Sequence, residues 1–182
     1  MVATRRALYS PGPSYYDPNV KLHAGWHSIL LHQREAIEMA SYKVDIPQVP
    51  DKLLAASPSF AKITSYGLAV ADMTRNTKYD LVLGAPSYGY IPMLAHPEAK
   101  IVSYAWNNSP TYRNKMLEPE YAKHRQTYDH SPSGDLLYCS GLRISDRIIA
   151  CSPFVAITHA DELLVSPSQE IHIPIAPWGV DS

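Results

Sequence analysis

The most constraining feature of the sequence is the segment 146–181, which has the pattern of a strand, a helix and a second strand. The β-branched run at 147–151 (RIIAC) is typical of a strand that is buried on both faces. Ser152 and Pro153 follow it, and this pair is a favourable N-cap and first helical residue. Residues 171–175 (IHIPI) form the next predicted strand. Two strands joined through a helix predict a βαβ unit, and therefore a parallel sheet.

The rest of the chain repeats this alternation. Strands are expected at residues 6–10, 42–46, 81–85 and 101–105, and helices at 20–39, 60–74, 87–95 and 135–144. The helix expected at 60–74 has Ile63, Leu68 and Ala71 among its apolar positions, and the polar segment 106–132 is expected to be partly helical. The sequence therefore predicts one Rossmann-like, doubly wound α/β domain over residues 1–182, with a mostly parallel sheet and helices on both faces.

Composition narrows the class of protein. The chain is 46% apolar with a formal net charge of −1, which gives no electrostatic case for a nucleic-acid partner. Two cysteines, Cys139 and Cys151, are too few for a disulfide scaffold and indicate a reduced, cytoplasmic protein. No apolar run is long enough for a transmembrane helix, although peripheral membrane contact stays open. Thirteen tyrosines suit stacking on sugar rings, with ordinary core packing as the alternative.

Two short motifs in segment 146–181 carry a family resemblance. The pattern D-x-I-I-A-x-S-x-F-V is matched by Asp146, Ile148, Ile149, Ala150, Ser152, Phe154 and Val155. The pattern P-x-G-V-D is matched by Pro177, Gly179, Val180 and Asp181. The chain thus resembles the N-terminal domain of GT-B fold glycosyltransferases, of the glycosyltransferase family 4 type. The resemblance implies transfer of a sugar from a nucleotide-diphosphate sugar to a hydroxyl acceptor, with no obligatory metal and no tightly bound cofactor.

The same resemblance implies a partner for this domain. In GT-B enzymes the nucleotide sits mostly on a C-terminal donor-binding domain, which here would have to come from further sequence or a separate chain. Because the sequence ends just after the P-x-G-V-D turn, we expect the chain to bind a carbohydrate or other hydroxyl acceptor weakly and not to turn over alone. Two alternatives remain: a free-standing Rossmann-like binding or partner module without catalysis, and a small flavodoxin-like protein that holds a nucleotide or flavin.

In an open parallel sheet, ligands bind at the carboxyl ends of the strands, so the loops that follow the strands are the places to search. The loop after the first strand offers Gly12, Lys21, His23 and His27 as contacts to an acceptor or a diphosphate. The two histidines lie one helical turn apart, but no third ligand accompanies them, so no metal is expected. Structural histidines are the alternative.

The loop after the third predicted strand offers Ser87 and Tyr88. Its two glycines have the spacing of a phosphate loop, but Tyr90 and Ile91 stand where Lys and Ser or Thr are required, so that interpretation is rejected. The resemblance implies that this loop lines the cleft. Ordinary turn glycines are the alternative.

The loop after the fourth predicted strand offers Trp106, Asn107 and Arg113 as acceptor contacts. A Trp stacks on a sugar ring, an Asn hydrogen-bonds a hydroxyl and an Arg binds oxyanions. Many family members carry a His directly after this strand, and this chain has none. No catalytic residue is therefore assigned, and a solvated polar loop is the alternative.

Overall fold

A computed structural model describes residues 4–12, 24–50, 52, 59–105, 108–125, 132–160 and 170–172, with the backbone alone at 24–30, 59–60, 132, 160 and 170–172. Strands and helices alternate along these residues as expected. The strands are β1 (Arg5–Ser10), β2 (Tyr42–Asp45), β3 (Leu81–Gly84), β4 (Lys100–Ala105), β5 (Arg147–Ala150) and β6 (Glu170–His172). The helices are α1 (Ala24–Met39), α2 (Ser59–Thr74), α3 (Pro86–Ala95), α4 (Pro110–Lys123), α5 (Pro132–Arg143) and α6 (Pro153–Ala160).

The strands form one parallel sheet in the order β2-β1-β3-β4-β5-β6. The chain moves from β1 to one side to make β2 and then crosses back over β1 to make β3. The gap between the carboxyl ends of β1 and β3 is therefore the topological switch point, as in the flavodoxin-like strand order. The predicted doubly wound, Rossmann-like α/β fold is confirmed.

Helices cover both faces of the sheet because alternate strand residues point to opposite sides. Ala7 and Tyr9 of β1 pack with Ile37 of α1 on one face. On the other face, a second cluster joins the sheet to α2 and α3; its buried members are Leu8, Val49, Tyr66, Val70, Tyr79, Val82, Met93, Ala99 and Ile101. Leu68, one of the apolar positions expected in α2, is instead 62% exposed, since Tyr66 and Val70 take the core side of that helix.

The pairing of α3 with α5 is very close. A Cβ atom added to Gly141 in α5 would lie 2.0 Å from the backbone oxygen of Pro86 at the start of α3. Only a glycine permits this approach. Just after the end of α5, the buried Ser145 hydroxyl donates to the Gly141 carbonyl oxygen at 2.7 Å. The first turn of α3 is therefore held firmly against α5.

The final βαβ unit follows the sequence prediction. Ser152 caps α6, since its hydroxyl accepts from the backbone N–H of Val155 at 3.2 Å. Val155 then packs on Ala105 and Ala150 in a third cluster. The P-x-G-V-D motif (residues 177–181) lies outside the described residues. Within the described ranges, none of the helices has the length and apolar character needed to cross a bilayer.

Candidate functional site

The carboxyl edge of the sheet brings together the loops after β1, β3 and β4 and the first turns of α2 and α5. Two neighbouring spaces lie along this edge. The first, which we call the switch-point crevice, lies between the ends of β1 and β3. The second, which we call the side pocket, lies beyond the ends of β3 and β4. They share α3 as a wall, because Tyr88 contacts the first space and Ser87 lines the second.

Aromatic rings fill the described part of the switch-point crevice. Gly12 has a φ of +102°, a conformation that favours glycine, and a Cβ atom there would lie 3.0 Å from Cδ2 of Tyr88. The Tyr88 ring meets that of Tyr66 edge-on, with centroids 5.7 Å apart. The Tyr66 hydroxyl accepts long hydrogen bonds, each 3.4 Å, from the Ser10 hydroxyl and the Gly12 N–H. Among the described residues, the Gly12 backbone and two rings thus pack together at the place where the strand order alone would locate a ligand.

Burial also keeps this crevice uncharged. Desolvation raises the pKa of Tyr66 above its usual value of 10.0, and the hydrogen bonds from Ser10 and Gly12 only partly oppose that rise. Desolvation likewise raises the pKa of Tyr88. Both phenols are therefore neutral at physiological pH. The groups in this crevice are suited to packing and to positioning the loop after β1.

The side pocket has a different character. It has a volume of about 180 Å³, and its lining is about equally polar and apolar. The lining residues are Ile63, Ser87, Asn108, Pro110, Arg113, Gly134, Asp135 and Tyr138. They come from α2, α3, the loop after β4, α4 and α5, and all of them lie at the carboxyl edge. The pocket therefore combines hydroxyl, amide, guanidinium and carboxylate groups with a comparable area of apolar surface.

An ion pair crosses this pocket between α4 and α5. The Arg113 guanidinium donates to Oδ1 of Asp135 at 2.5 Å, and the Asn114 amide donates to Oδ2 at 3.2 Å. The two charged side chains are only 32% and 19% exposed, respectively. Both carboxylate oxygens are thus engaged, which fixes the planes of the carboxylate and the guanidinium relative to the pocket.

Behind the pocket, Tyr138 is hydrogen-bonded to a buried histidine. Nδ1 of His159 lies 2.7 Å from the carbonyl oxygen of Val155, which can only accept, so Nδ1 carries the proton in the neutral ring. Nε2 then accepts from the Tyr138 hydroxyl at 2.9 Å. Burial, with smaller contributions from the neighbouring Cys139 and Cys151, raises the pKa of Tyr138. A neutral Tyr138 with a fixed hydroxyl therefore forms one wall of the pocket.

The residues predicted from the sequence divide between the two spaces. Gly12 and Tyr88 meet in the switch-point crevice, whereas Ser87 and Arg113 line the side pocket. His27 lies in α1, where only the backbone is described. Four further predicted contacts lie outside the described residues: Lys21, His23, Trp106 and Asn107. Their roles stay predictions.

Asp135 and Tyr138 were not predicted as site residues, because they lie in the helix expected at 135–144 and not in a loop that directly follows a strand. The topology of the sheet nevertheless indicates where this helix begins. A helix that leads into a parallel strand must begin near the carboxyl edge, so the first turn of α5 had to lie beside the loops after β3 and β4. Asn108, next to the predicted Asn107, completes the missed polar lining.

Comparison with known proteins adds no identification. No protein-family model and no curated protein matches the chain. Among the residues whose side chains the structure describes, no three His, Cys, Asp or Glu residues are grouped so as to hold a metal ion. The chemistry of this edge is therefore argued from its own side chains.

Proposed function

We propose that this chain is the acceptor-side domain of a GT-B glycosyltransferase, and that the side pocket holds a hydroxyl-bearing acceptor such as a carbohydrate. The observation that carries the proposal is the polar pocket at the carboxyl ends of β3 and β4, within the fold that the family resemblance implies. A parallel α/β sheet binds its ligands at this edge. The motif at residues 146–155 is the described part of the sequence pattern on which that resemblance rests.

The pocket lining suits a sugar hydroxyl for a simple reason. A hydroxyl group both donates and accepts hydrogen bonds, so it is best met by groups of both kinds. Asp135 accepts, Arg113 donates, and Ser87 and Asn108 do both. Their arrangement around a small volume limits the ligand to one ring or one end of a longer molecule.

In the proposed reaction, the acceptor hydroxyl attacks the anomeric carbon of a nucleotide-diphosphate sugar, and the nucleoside diphosphate leaves. The donor is held mainly by a second domain, supplied by further sequence or another chain. The domain described here holds the acceptor, and the wall of its pocket orients that acceptor. We therefore expect the chain alone to bind acceptor without transferring sugar.

The proposal is tested by calorimetric titration of the full chain with a panel of neutral mono- and disaccharides. We expect at least one weak, millimolar ligand, and we expect Arg113→Gln to weaken its binding about tenfold through loss of a charge-assisted hydrogen bond. Arg75→Gln is the matched control, since Arg75 makes an exposed pair with Asp72 on α2. If none of the saccharides binds, or if both variants behave alike, the pocket is not an acceptor site.

The strand order favours a second candidate, a flavodoxin-like protein that binds a flavin or nucleotide. In that fold the ligand sits at the switch point between β1 and β3. Among the described residues, Tyr66 and Tyr88 pack at that position beside Gly12, which weighs against it. Absorbance in the flavin band of the purified chain, or flavin uptake on addition, would favour this candidate over the transferase.

The alternative predicted from the sequence is a binding module without catalysis. In that case the same pocket binds its ligand and no reaction follows. It differs in one outcome. Adding a donor-binding domain and a nucleotide-diphosphate sugar would produce no glycosylated acceptor from such a module, whereas the transferase domain would yield product.

A further inference from the structure

We propose that the side pocket selects an uncharged acceptor, and that Asp135 is the residue that excludes phosphorylated or otherwise anionic ones. This inference rests on the proposed function, since it specifies the acceptor class of the same pocket. It revises the expectation from sequence that Arg113 would meet a phosphate or an acidic group.

The charged residues that line the pocket neutralise each other. Among the described residues that line the pocket, Arg113 and Asp135 are the charged ones, and they are paired with each other. A site built for an oxyanion uses Arg as a clamp on the ligand itself. Here Nη2 of Arg113 already donates to the Asp135 carboxylate, so a phosphate that binds the remaining guanidinium N–H groups would lie beside a like charge.

The carboxylate of Asp135 is held in a fixed position. Asp135 accepts from Arg113 through one oxygen and from Asn114 through the other, so it is not free to rotate away from an incoming anion. Its side chain is 19% exposed, which reduces screening of its charge by water and salt. Repulsion between Asp135 and an anion is therefore felt at short range.

The other described residues that line the pocket are uncharged. Ser87, Asn108 and Tyr138 are neutral at physiological pH, and burial raises the pKa of Tyr138 further above its usual value. Ile63 and Pro110 add apolar surface of the kind that the C–H face of a sugar ring contacts. This lining favours a neutral polyol and offers little compensation for burying a phosphate.

The plain alternative is that the pair only joins α4 to α5. A pair with a purely structural role predicts that removing its negative charge lowers stability and changes no ligand preference. A selective role predicts that the same change creates an anion site, because Arg113 is then left without its compensating charge. Anion binding therefore separates the two.

The test uses inorganic phosphate as the probe, at constant ionic strength, with binding measured by calorimetry and located by amide shifts of Ser87 and Asn108. The wild-type chain is expected to show no saturable binding. Asp135→Asn is expected to bind phosphate saturably, with an affinity at least about tenfold above the detection limit that the wild-type titration sets, because a like charge at short range has been removed. Asp72→Asn, which removes the same charge from the exposed pair with Arg75, is expected to change nothing. The double variant Asp135→Asn, Arg113→Gln should lose the gain.

Saturable phosphate binding by the wild-type pocket would overturn the inference, and so would a folded Asp135→Asn variant that gains none. If Asp135→Asn does not fold, methyl glucoside and glucose 6-phosphate are compared on the wild-type chain. A preference of at least about tenfold for the neutral sugar supports the inference, and an equal or reversed preference overturns it. Gain of phosphate by Asp135→Asn without any saccharide binding to wild type would support charge selection while removing the acceptor proposal.

Discussion

The switch-point crevice and the side pocket lie next to each other at the same edge of the sheet, yet they differ in what fills them. In the crevice, Gly12 brings the backbone against the Tyr88 ring, and Tyr66 completes the packing. In the side pocket, Arg113 and Asp135 form a fixed pair around a space of about 180 Å³. Strand order identifies the edge where a ligand binds, but the side chains decide the chemical character of each space along that edge.

The two spaces are built from the same elements. Tyr88 and the preceding Ser87 face different spaces from the first turn of α3, and Tyr66 lies one helical turn after Ile63 on α2. A change in this shared wall should affect both spaces, whereas a change in one lining should affect only that space.

The largest effect is expected at the contact that holds the shared wall. Gly141→Ala would place a methyl group 2.0 Å from the Pro86 oxygen, so α5 must move away from α3. We expect a loss of about 3 kcal/mol or more in the free energy of unfolding, measured by urea denaturation. Ser133→Ala, an exposed change on the same helix, is the control and should cost much less. Equal stability of the two variants would show that the helices are not tightly apposed.

The next prediction opens the switch-point crevice alone. Tyr88→Ala removes the ring between Gly12 and Tyr66, and we expect it to cost about 2 kcal/mol of stability, since the ring is half-buried. Amide hydrogen exchange at Gly12 should become faster. Saccharide binding in the side pocket should persist within about threefold, because the Tyr88 side chain is not part of its lining. Abolished binding in a folded variant would mean that the ligand uses the crevice.

A matched pair of hydroxyl deletions compares the two spaces directly. Tyr138→Phe leaves the buried Nε2 of His159 without its 2.9 Å donor and should cost about 1–2 kcal/mol. Tyr66→Phe removes only two 3.4 Å bonds and should cost less than about 1 kcal/mol. Thermal or urea unfolding measures both. A larger loss of stability for Tyr66→Phe than for Tyr138→Phe would contradict this expectation.

The smallest effect concerns pH at the opposite edge of the sheet. There the buried His96 donates from Nε2 to the Thr74 hydroxyl, which itself donates to the Val70 carbonyl oxygen. Burial lowers the pKa of His96 below its usual 6.5, so the unfolded chain takes up a proton more readily than the folded one. Stability contributed by neutral His96 is therefore present above pH about 6.5 and is lost as the pH falls through 6.5 towards the lower folded-state pKa.

His96→Gln should flatten this part of the pH dependence, because Gln can donate to Thr74 without titrating. Urea unfolding of both proteins at several pH values measures the difference. Saccharide affinity at a pH where both stay folded should be equal for the two proteins, since His96 lies away from both spaces. A pH dependence of stability that is identical in the variant would exclude His96 as its source.

Much of the fold could be predicted from the sequence. The short apolar runs at 81–85 and 101–105 and the Ser152-Pro153 cap are local signals, and local signals are enough to predict alternating strands and helices. Strand order is not local, and nothing in the sequence showed that β3 returns beside β1. The exposed Leu68 was misleading for a related reason, since apolar character does not say which face of a helix meets the core.

The candidate site was less predictable. Ser87 and Arg113 were found because they follow strands, and that position alone placed them at the correct edge. Asp135 was not found, since its partner Arg113 is 22 residues away and no spacing rule links them. Whether a gap is filled or open depends on the packing of Tyr66 and Tyr88, which only the three-dimensional arrangement reveals.

The most direct test of the account is an NMR titration of the isotopically labelled full chain with the tightest neutral saccharide from the panel. We predict saturable amide shifts at Ser87, Asn108 and Arg113, with those of Ser10, Gly12 and Tyr66 unchanged. Shifts that cluster instead at Ser10, Gly12 and Tyr66 would place the ligand in the switch-point crevice and contradict the account.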